Sequence, residues 1–427
     1  MGKGAFFALL AGLAGVVRSA DFDVLEYGAR GDGRVKDTAA VQAAVDACRA
    51  AGGGRVVIPS GSFLVAPIVL GSGVELHLSE GATLLGSPDL ADYPNRTDVR
   101  HVDTEALPRK RNVALVFAEE SHDVSITGPG VIDANGASFV RPKTGNDWDG
   151  WPFERNVDLL KSMPRVVFLT GCRNVRVSDV TLANPPAGWS FWIHDCDDVL
   201  FDRVRVRADV RYPNNDGIHI NSCRDVMIRN CDLETGDDSI VVRANNRSLR
   251  ENRVCERVVV SNCTLRSWSS GIRIGWSNDG TIRNCRFRDI RMRDTTSGIS
   301  VRLPGIPPWN RYDYGREATH IEDIVFENIT MDGIFARPIY MTMSPRKDSL
   351  IDAVRDIRFV NVRATGLEGP LFKGLPQTPF EDFTFENCTF ETVGDDVLPN
   401  YRQHGAASWE REHGAVSCHT NGFRNVH

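Results

Sequence analysis

Arg224-Asp225-Val226-Met227-Ile228-Arg229-Asn230-Cys231 returns further along the chain as Glu256-Arg257-Val258-Val259-Val260-Ser261-Asn262-Cys263. Each copy runs from a polar or acidic residue through alternating apolar positions to an Asn, then to Cys or another apolar residue. Further copies are Thr281-Ile282-Arg283-Asn284-Cys285 and residues 323–329, 356–362 and 382–388. Weaker copies lie at Asn174-Val175-Arg176-Val177 and Asp198-Val199-Leu200-Phe201. The alternation is the strand period. With the Asn or its equivalent as marker, positions 179, 203, 230, 262, 284, 328, 361 and 387 are separated by 24, 27, 32, 22, 44, 33 and 26 residues. A minimum near 22 with variable excess is what a solenoid with unequal loops produces. One unit cannot bury its apolar face alone, whereas stacked units can. Asn suits the turn, because its side chain tolerates left-handed backbone and bonds to neighbouring coils. The expected fold is all-β, a single-stranded right-handed parallel β-helix; an evenly spaced β-sandwich is the alternative.

The N-terminal part is less regular. Asp37 or Thr38 can cap a helix running through roughly residue 51, with Val41, Ala44, Val45 and Cys48 on one face. Gly52-Gly53-Gly54 ends it, and a strand follows over residues 55–59. This short helix is expected to cap the open end of the solenoid, whose strand edges need cover. Residues 88–112 and 137–164 read as long loops, rich in Pro, Asp and Arg, and loops of that length are often functional. Ahead of all this, Lys3 precedes an apolar run over residues 5–17, and small residues Ser19 and Ala20 follow. That is the plan of a secretory signal peptide, and the run is short for a membrane span. The expected organisation is a signal peptide over residues 1–20 and one β-helix domain over 21–427. The expected location is secreted or periplasmic, with no membrane contact after processing.

The chain has 427 residues, 50 Lys and Arg against 56 Asp and Glu, and a formal charge of −6. Nothing in that balance favours a nucleic-acid partner, which would select for excess Lys and Arg. Of ten cysteines, Cys231, Cys263, Cys285 and Cys388 each follow an Asn of the repeat, which suggests buried small hydrophobes in stacked coils. No CxxC pair occurs, so no metal site and no cofactor are expected. Disulfides among Cys48, Cys172, Cys196, Cys223, Cys255 and Cys418 stay open.

Asn214-Asn215-Asp216-Gly217 and Gly236-Asp237-Asp238 sit inside the repeat. Asp216 and Asp237 are 21 residues apart, about one coil, so the spacing stacks three carboxylates side by side. Parallel strands lie about 4.8 Å apart, and a lateral offset reaches the roughly 6.5–9.5 Å gap that accommodates water in an inverting glycosidase. Like charges in a cleft raise at least one pKa and keep an acid protonated near neutrality. The bland alternative is an Asp-rich turn that caps backbone amides.

Tyr27-Gly28-Ala29-Arg30-Gly31-Asp32-Gly33, residues 37–44 and residues 52–59 resemble the N-terminus of pectate-lyase-type β-helices. Residues 76–87, Ala91-Asp92-Tyr93-Pro94 and residues 185–194 sharpen this into a resemblance to the bacterial branch of glycoside hydrolase family 28, the polygalacturonase family. It covers roughly residues 22–390. The family motif Asn-x-Asp-Gly then Gly-Asp-Asp matches Asn214, Asp216, Gly217, Gly236, Asp237 and Asp238. The resemblance implies Asp237 as general acid, Asp216 and Asp238 as the groups that hold and deprotonate water, and inversion at the sugar.

Two further family motifs are altered. In Trp268-Ser269-Ser270-Gly271-Ile272-Arg273-Ile274-Gly275, Ser270 stands where the family has His. In Gly298-Ile299-Ser300-Val301-Arg302, Ser300 replaces an Arg and Arg302 a Lys, groups that the resemblance assigns to the substrate carboxylate. Arg243 and Arg273 are candidates for a rearranged anion site, since guanidinium pairs bidentately with carboxylate. Trp192 and Trp268, with Trp189 and Trp276, are candidates to stack on sugar rings, and His194 and His219 are the nearby imidazoles. The expected activity is an inverting glycoside hydrolase, acting as a monomer on a plant-type pectic or related acidic or branched polysaccharide. A calcium-dependent polysaccharide lyase and a non-catalytic glycan-binding β-helix are the alternatives.

Overall fold

The computed structural model describes residues 20–107, 112–143, 153–155, 165–304, 315–343, 348–393 and 423–426. The segment read as a signal peptide therefore lies outside the described residues, apart from Ala20, as do Cys418 and most of the 137–164 loop. No described helix is long and apolar enough to cross a membrane.

Helix Thr38–Ala50 forms where the apolar spacing placed it, and it buries Val41, Ala44, Val45 and Cys48. Asp37 occupies the N-cap position without capping. Its carboxylate instead accepts the amides of Arg30 (2.7 Å) and Gly31 (3.0 Å), pinning the preceding loop. The helix packs on the first strands of the solenoid, so the open end is covered.

Past the helix the chain is a right-handed parallel β-helix. Right-handed crossovers are the sterically favoured way to join parallel strands. One sheet holds ten parallel strands in coil order: Ile68–Val69, Ala114–Glu119, Arg165–Thr170, Phe191–His194, Ile218–Asn221, Ile240–Arg243, Ser270–Ile274, Ser297–Leu303, Ile339–Met343 and Leu371–Lys373. A second sheet of 21 strands forms the other faces. In the later coils single strands such as Cys255–Ser267, Asp279–Thr295 and Glu317–Ile334 bend around a corner of the coil.

The repeat Asn makes that bend. Asn230, Asn262, Asn328, Asn361 and Asn387 all have φ between 52° and 58°, a region that Asn visits far more readily than most L-residues. Their amides form a ladder. Asn262 Nδ2 donates to Asn230 Oδ1 (2.7 Å), Asn361 Nδ2 to Asn328 Oδ1 (3.0 Å) and Asn387 Nδ2 to Asn361 Oδ1 (3.3 Å). One marker is corrected. Ser261 pairs with Arg288 and Cys263 with Ile290, so the neighbour of Asn262 is Asp289, not Asn284. Asn328 Nδ2 accordingly bonds Asp289 Oδ1 (3.0 Å). Asn284, also left-handed at φ 53°, belongs to an earlier bend, beside Arg257 and Asp323. Two kinds of bend share one residue preference, and that produced the apparent 22- and 44-residue intervals.

Inside the coils, equivalent positions stack at the inter-strand spacing. Phe287, Phe326, Phe359 and Phe385 lie face to face with centroids 5.0, 5.1 and 4.9 Å apart. Nine cysteines are described and all are free. Cys231, Cys263 and Cys285 are buried as expected, while Cys388 is half-buried. Cys172, Cys196 and Cys223 form a second stack, in which the amides of Cys172 and Cys196 each donate to the next Sγ at 3.3 Å.

Candidate active site

The two acidic motifs meet at the upstream ends of neighbouring strands in the ten-stranded sheet. Ile218 pairs with Ile240, and Gly217 N donates to Asp238 O (3.0 Å). Register therefore sets Asp216 beside Asp238, with Asp237 one residue further out. Neither glycine can carry a side chain cheaply. A Cβ on Gly217 would lie 2.4 Å from Ser239 O, and one on Gly236 would lie 2.3 Å from Tyr212 O and 2.6 Å from Asn215 Oδ1.

Asn214 takes left-handed backbone (φ 59°), which brings its N and Nδ2 each to 3.1 Å from Asp237 Oδ2. Asp237 Oδ1 accepts from Asp238 N (3.0 Å). Asp238 Oδ1 accepts from Ser269 Oγ (2.8 Å) and Ser270 N (3.0 Å). Asp216 Oδ2 lies 3.2 Å from His219 Nδ1. Burial, then the charges of Asp237 and Asp238, push the Asp216 carboxyl well up. Burial, then Asp238, push Asp237 up to about 7. Such a cluster holds a proton at neutral pH and can donate it.

Asn215, absent from the sequence-based candidates, joins the two motifs. It is fully buried, and its Oδ1 accepts from Gly236 N (2.6 Å) and Asp237 N (3.1 Å), while its Nδ2 donates to Asp209 O (2.9 Å). Its place inside Asn-Asn-Asp-Gly is the one sequence signal that pointed to it. Ser269, Arg165 and Asp279 were likewise missed, and nothing in their local sequence marks them.

The basic candidates divide. Arg243 makes a bidentate pair with Asp279 (2.8 and 2.6 Å), and that carboxylate is wholly buried. Arg273 is 3% exposed. Its NH1 lies 3.9 Å from Asp238 Oδ2, its NH2 donates to Arg302 O (3.4 Å), and its guanidinium sits 3.7 Å over the Trp276 ring. Burial pulls Arg273 down to about 10, still cationic at neutral pH. Arg302 lies over Tyr340 at 4.9 Å. Among the described residues, no three His, Cys, Asp or Glu side chains converge as metal ligands would.

The aromatic candidates are largely packed. Trp192 is 2% exposed and stacks on Phe168 (centroids 4.2 Å, 14°), with the Arg165 guanidinium 4.0 Å from its ring centroid. Trp268 is also buried. His194 lies between Thr170 Oγ1 (3.2 Å) and Ser248 Oγ (3.3 Å), and burial lowers it to about 3, so it is neutral. Trp189 lies against the His219 ring, centroids 4.0 Å apart.

The family profile described as "Glycosyl hydrolases family 28" matches residues 48–394. The chain belongs to glycoside hydrolase family 28. It is 27% identical over 395 residues to a probable polygalacturonase of Vitis vinifera, covering 87% of this chain and 74% of the relative. It is 26% identical over 373 residues to an endo-polygalacturonase of Pectobacterium carotovorum subsp. carotovorum, covering 84% and 79%. Among solved structures, an exopolygalacturonase from Thermotoga maritima shares the fold with TM-score 0.68 at 24% identity, covering 88% of this chain and 87% of that one.

The two serines read as standing in for a His and an Arg are in contact. Ser270 Oγ donates to Ser300 Oγ at 3.0 Å, and both residues are fully buried. Arg273 is the register partner of Ser300 on the adjacent strand.

One end of the site is roofed. Val102 and Leu107 from the 88–107 loop, with Leu249, pack on the outward faces of Phe117, Phe168 and Trp192. Asp103 N donates to Ser248 O (2.8 Å), and Arg250 NH2 to Arg100 O (3.1 Å), joining the two covering loops. Beneath them a cavity of about 10 Å³, room for a single water, is lined by Ala106, Trp189, His194, His219, Arg243 and Ser248, among others.

Proposed function

We propose that this protein is an inverting hydrolase of pectic or related acidic glycans. The observation that carries the reaction is the meeting of Asp216, Asp237 and Asp238 on adjacent coils, with Asp237 pushed up to about 7. Asp237 gives its proton to the glycosidic oxygen as the bond to the anomeric carbon breaks. Water attacks that carbon from the opposite face and loses its proton to Asp216 or Asp238, with inversion of the anomeric centre. Asn214 and Asn215 hold the two turns so that the acid and the base face one substrate.

Arg273 supports an acidic substrate. A buried cation beside Asp238 is suited to a sugar carboxylate at the cleavage point. Because Ser270 and Ser300 replace the family's His and Arg together, the carboxylate is gripped from a different coil and the subsite is altered. The names of the relatives, polygalacturonases, point the same way. The roof over Phe117, Phe168 and Trp192 supports attack at a chain end, since a glycan cannot continue past it along the helix axis. The pattern of residues 1–20 supports export to a secreted or periplasmic location.

The test is product analysis on a panel of pectic, other acidic and neutral glycans, with NMR of the first-formed anomer. Expected are short products from chain ends of acidic glycans, with inverted configuration, and weaker turnover of plain polygalacturonate than of a better-fitting acidic glycan. Unsaturated, ultraviolet-absorbing products abolished by chelator would replace this reading with a lyase. Binding without cleavage of any glycan would replace it with a non-catalytic module.

A further inference from the structure

We infer that His219 is a positioning residue that donates Nδ1–H to Asp216 and so selects Asp216 as an ionised base of the carboxylate cluster. The inference rests on the hydrolase reading above and assigns a role within it. His219 is the one imaginable imidazole donor at these carboxylates among the described residues: its Nδ1 is 3.2 Å from Asp216 Oδ2. The family's own His position holds Ser270, whose hydroxyl is turned to Ser300.

The need for a donor follows from the surroundings. Asp216 is 5% exposed; burial and its neighbours Asp237 and Asp238 push its carboxyl up, while its own backbone amide and the Arg273 guanidinium act the other way without overcoming them. Asp237 has three amide donors, from Asn214 N, Asn214 Nδ2 and Asp238 N, and Asp238 has Ser269 Oγ and Ser270 N. Among the described residues, the side chain within hydrogen-bond reach of the Asp216 carboxyl is His219. Hydrogen bonding to the charged form is what brings a buried carboxyl down.

His219 is also held neutral. It is 3% exposed, and its ring lies against Trp189. The charged and titratable groups around it are Asp216 at Nδ1 and, from four strands of the ten-stranded sheet, Arg165, His194, Arg243 and Arg273. Burial, then the charges of Arg243 and Arg165, keep the imidazole neutral. A neutral ring with Nδ1–H toward a carboxylate orients that carboxylate without adding a mobile charge.

The test separates this role from a packing role. In His219→Asn the amide nitrogen occupies the place of Nδ1 and keeps the donor; in His219→Leu the bulk stays and the donor is lost. With the wild-type enzyme on its best acidic glycan, the acid limb of kcat/KM reports ionisation of the base. In His219→Leu that limb moves to higher pH by about one unit, a tenfold loss on the acid side that recovers as pH rises. His219→Asn stays close to wild type. An unshifted limb in His219→Leu, or an equal shift in His219→Asn, overturns the inference. If His219→Leu does not fold, imidazole 15N shifts of histidine-labelled wild-type protein decide, with His219 assigned by its loss in His219→Asn. A neutral Nδ1–H ring from pH 5 to 8 supports the inference; an Nε2–H ring or an imidazolium overturns it. A wild-type protein inactive on every glycan would instead sink the hydrolase reading, and the 15N measurement would still report on the donor.

Discussion

Asp237→Asn separates the reaction from stability, because the same burial that makes Asp237 an acid makes its charge costly. The carboxyl is raised from 3.8 to about 7. At about 1.36 kcal/mol per unit, ionising it in the folded protein costs about 4 kcal/mol relative to the unfolded chain. The sign follows from the raised folded value. The cost is absent below the unfolded pKa near 3.8, grows as pH rises, and is complete above about 7. Wild-type stability therefore falls through that window, whereas Asn never ionises. Against this, both Asp237 oxygens accept N–H donors, at 3.1, 3.1 and 3.0 Å. An amide nitrogen in place of one oxygen meets a donor and costs about 1–3 kcal/mol at every pH. The variant should be more stable than wild type at pH 8 by about 1–3 kcal/mol. At pH 5, where only about 1–2 kcal/mol of the charge cost has accrued, it should be equal or weaker. Turnover should fall by about 10²–10⁴, the usual contribution of a positioned acid. The assays are calorimetric melting of both proteins at pH 5 and pH 8, and product release from the best acidic glycan. Turnover within tenfold of wild type would refute the role of Asp237. A stability gap that does not widen from pH 5 to pH 8 would refute the burial argument.

Phe326 is fully buried between Phe287 and Phe359, so Phe326→Ala should cost about 3–5 kcal/mol in chemical denaturation. Arg243→Leu leaves the carboxylate of Asp279 wholly buried without its bidentate partner and should cost about 3–5 kcal/mol, with Arg243→Leu/Asp279→Leu recovering most of it; a double variant as weak as the single would argue against the pair. Asn328→Ala loses the bond to Asp289 and places Ala at φ 55°, a loss of about 1–3 kcal/mol. Asn328→Gly should recover the backbone part of that loss in thermal melts.

The solenoid was legible because its signal is local and repeated. Alternation at residues 226–228 and 258–260 gives the strands, and Asn230 and Asn262 supply a residue that tolerates left-handed backbone. The two acidic turns were legible for a similar reason: Gly217 and Gly236 are required by backbone contacts under 3 Å, so the motif cannot drift. Register was not legible. Asn284 and Asp289 both have positive φ within one strand, and only pairing with the neighbouring coils shows which of them continues the ladder from Asn262.

The sequence alone determined the coil, the residue type favoured at its corners, the capping helix and which three carboxylates come together, since each depends on neighbours close along the chain or on repetition of a short pattern. The tertiary structure decided what those carboxylates face. Arg243 pairs with Asp279, Ser270 with Ser300, and the 88–107 loop with Ser248 across long sequence separations. No local propensity encodes such contacts, because they arise when loops of unequal length bring separate coils together. That is why a glycoside hydrolase could be read from short motifs, while the shape and charge of the candidate site waited on the stacked coils.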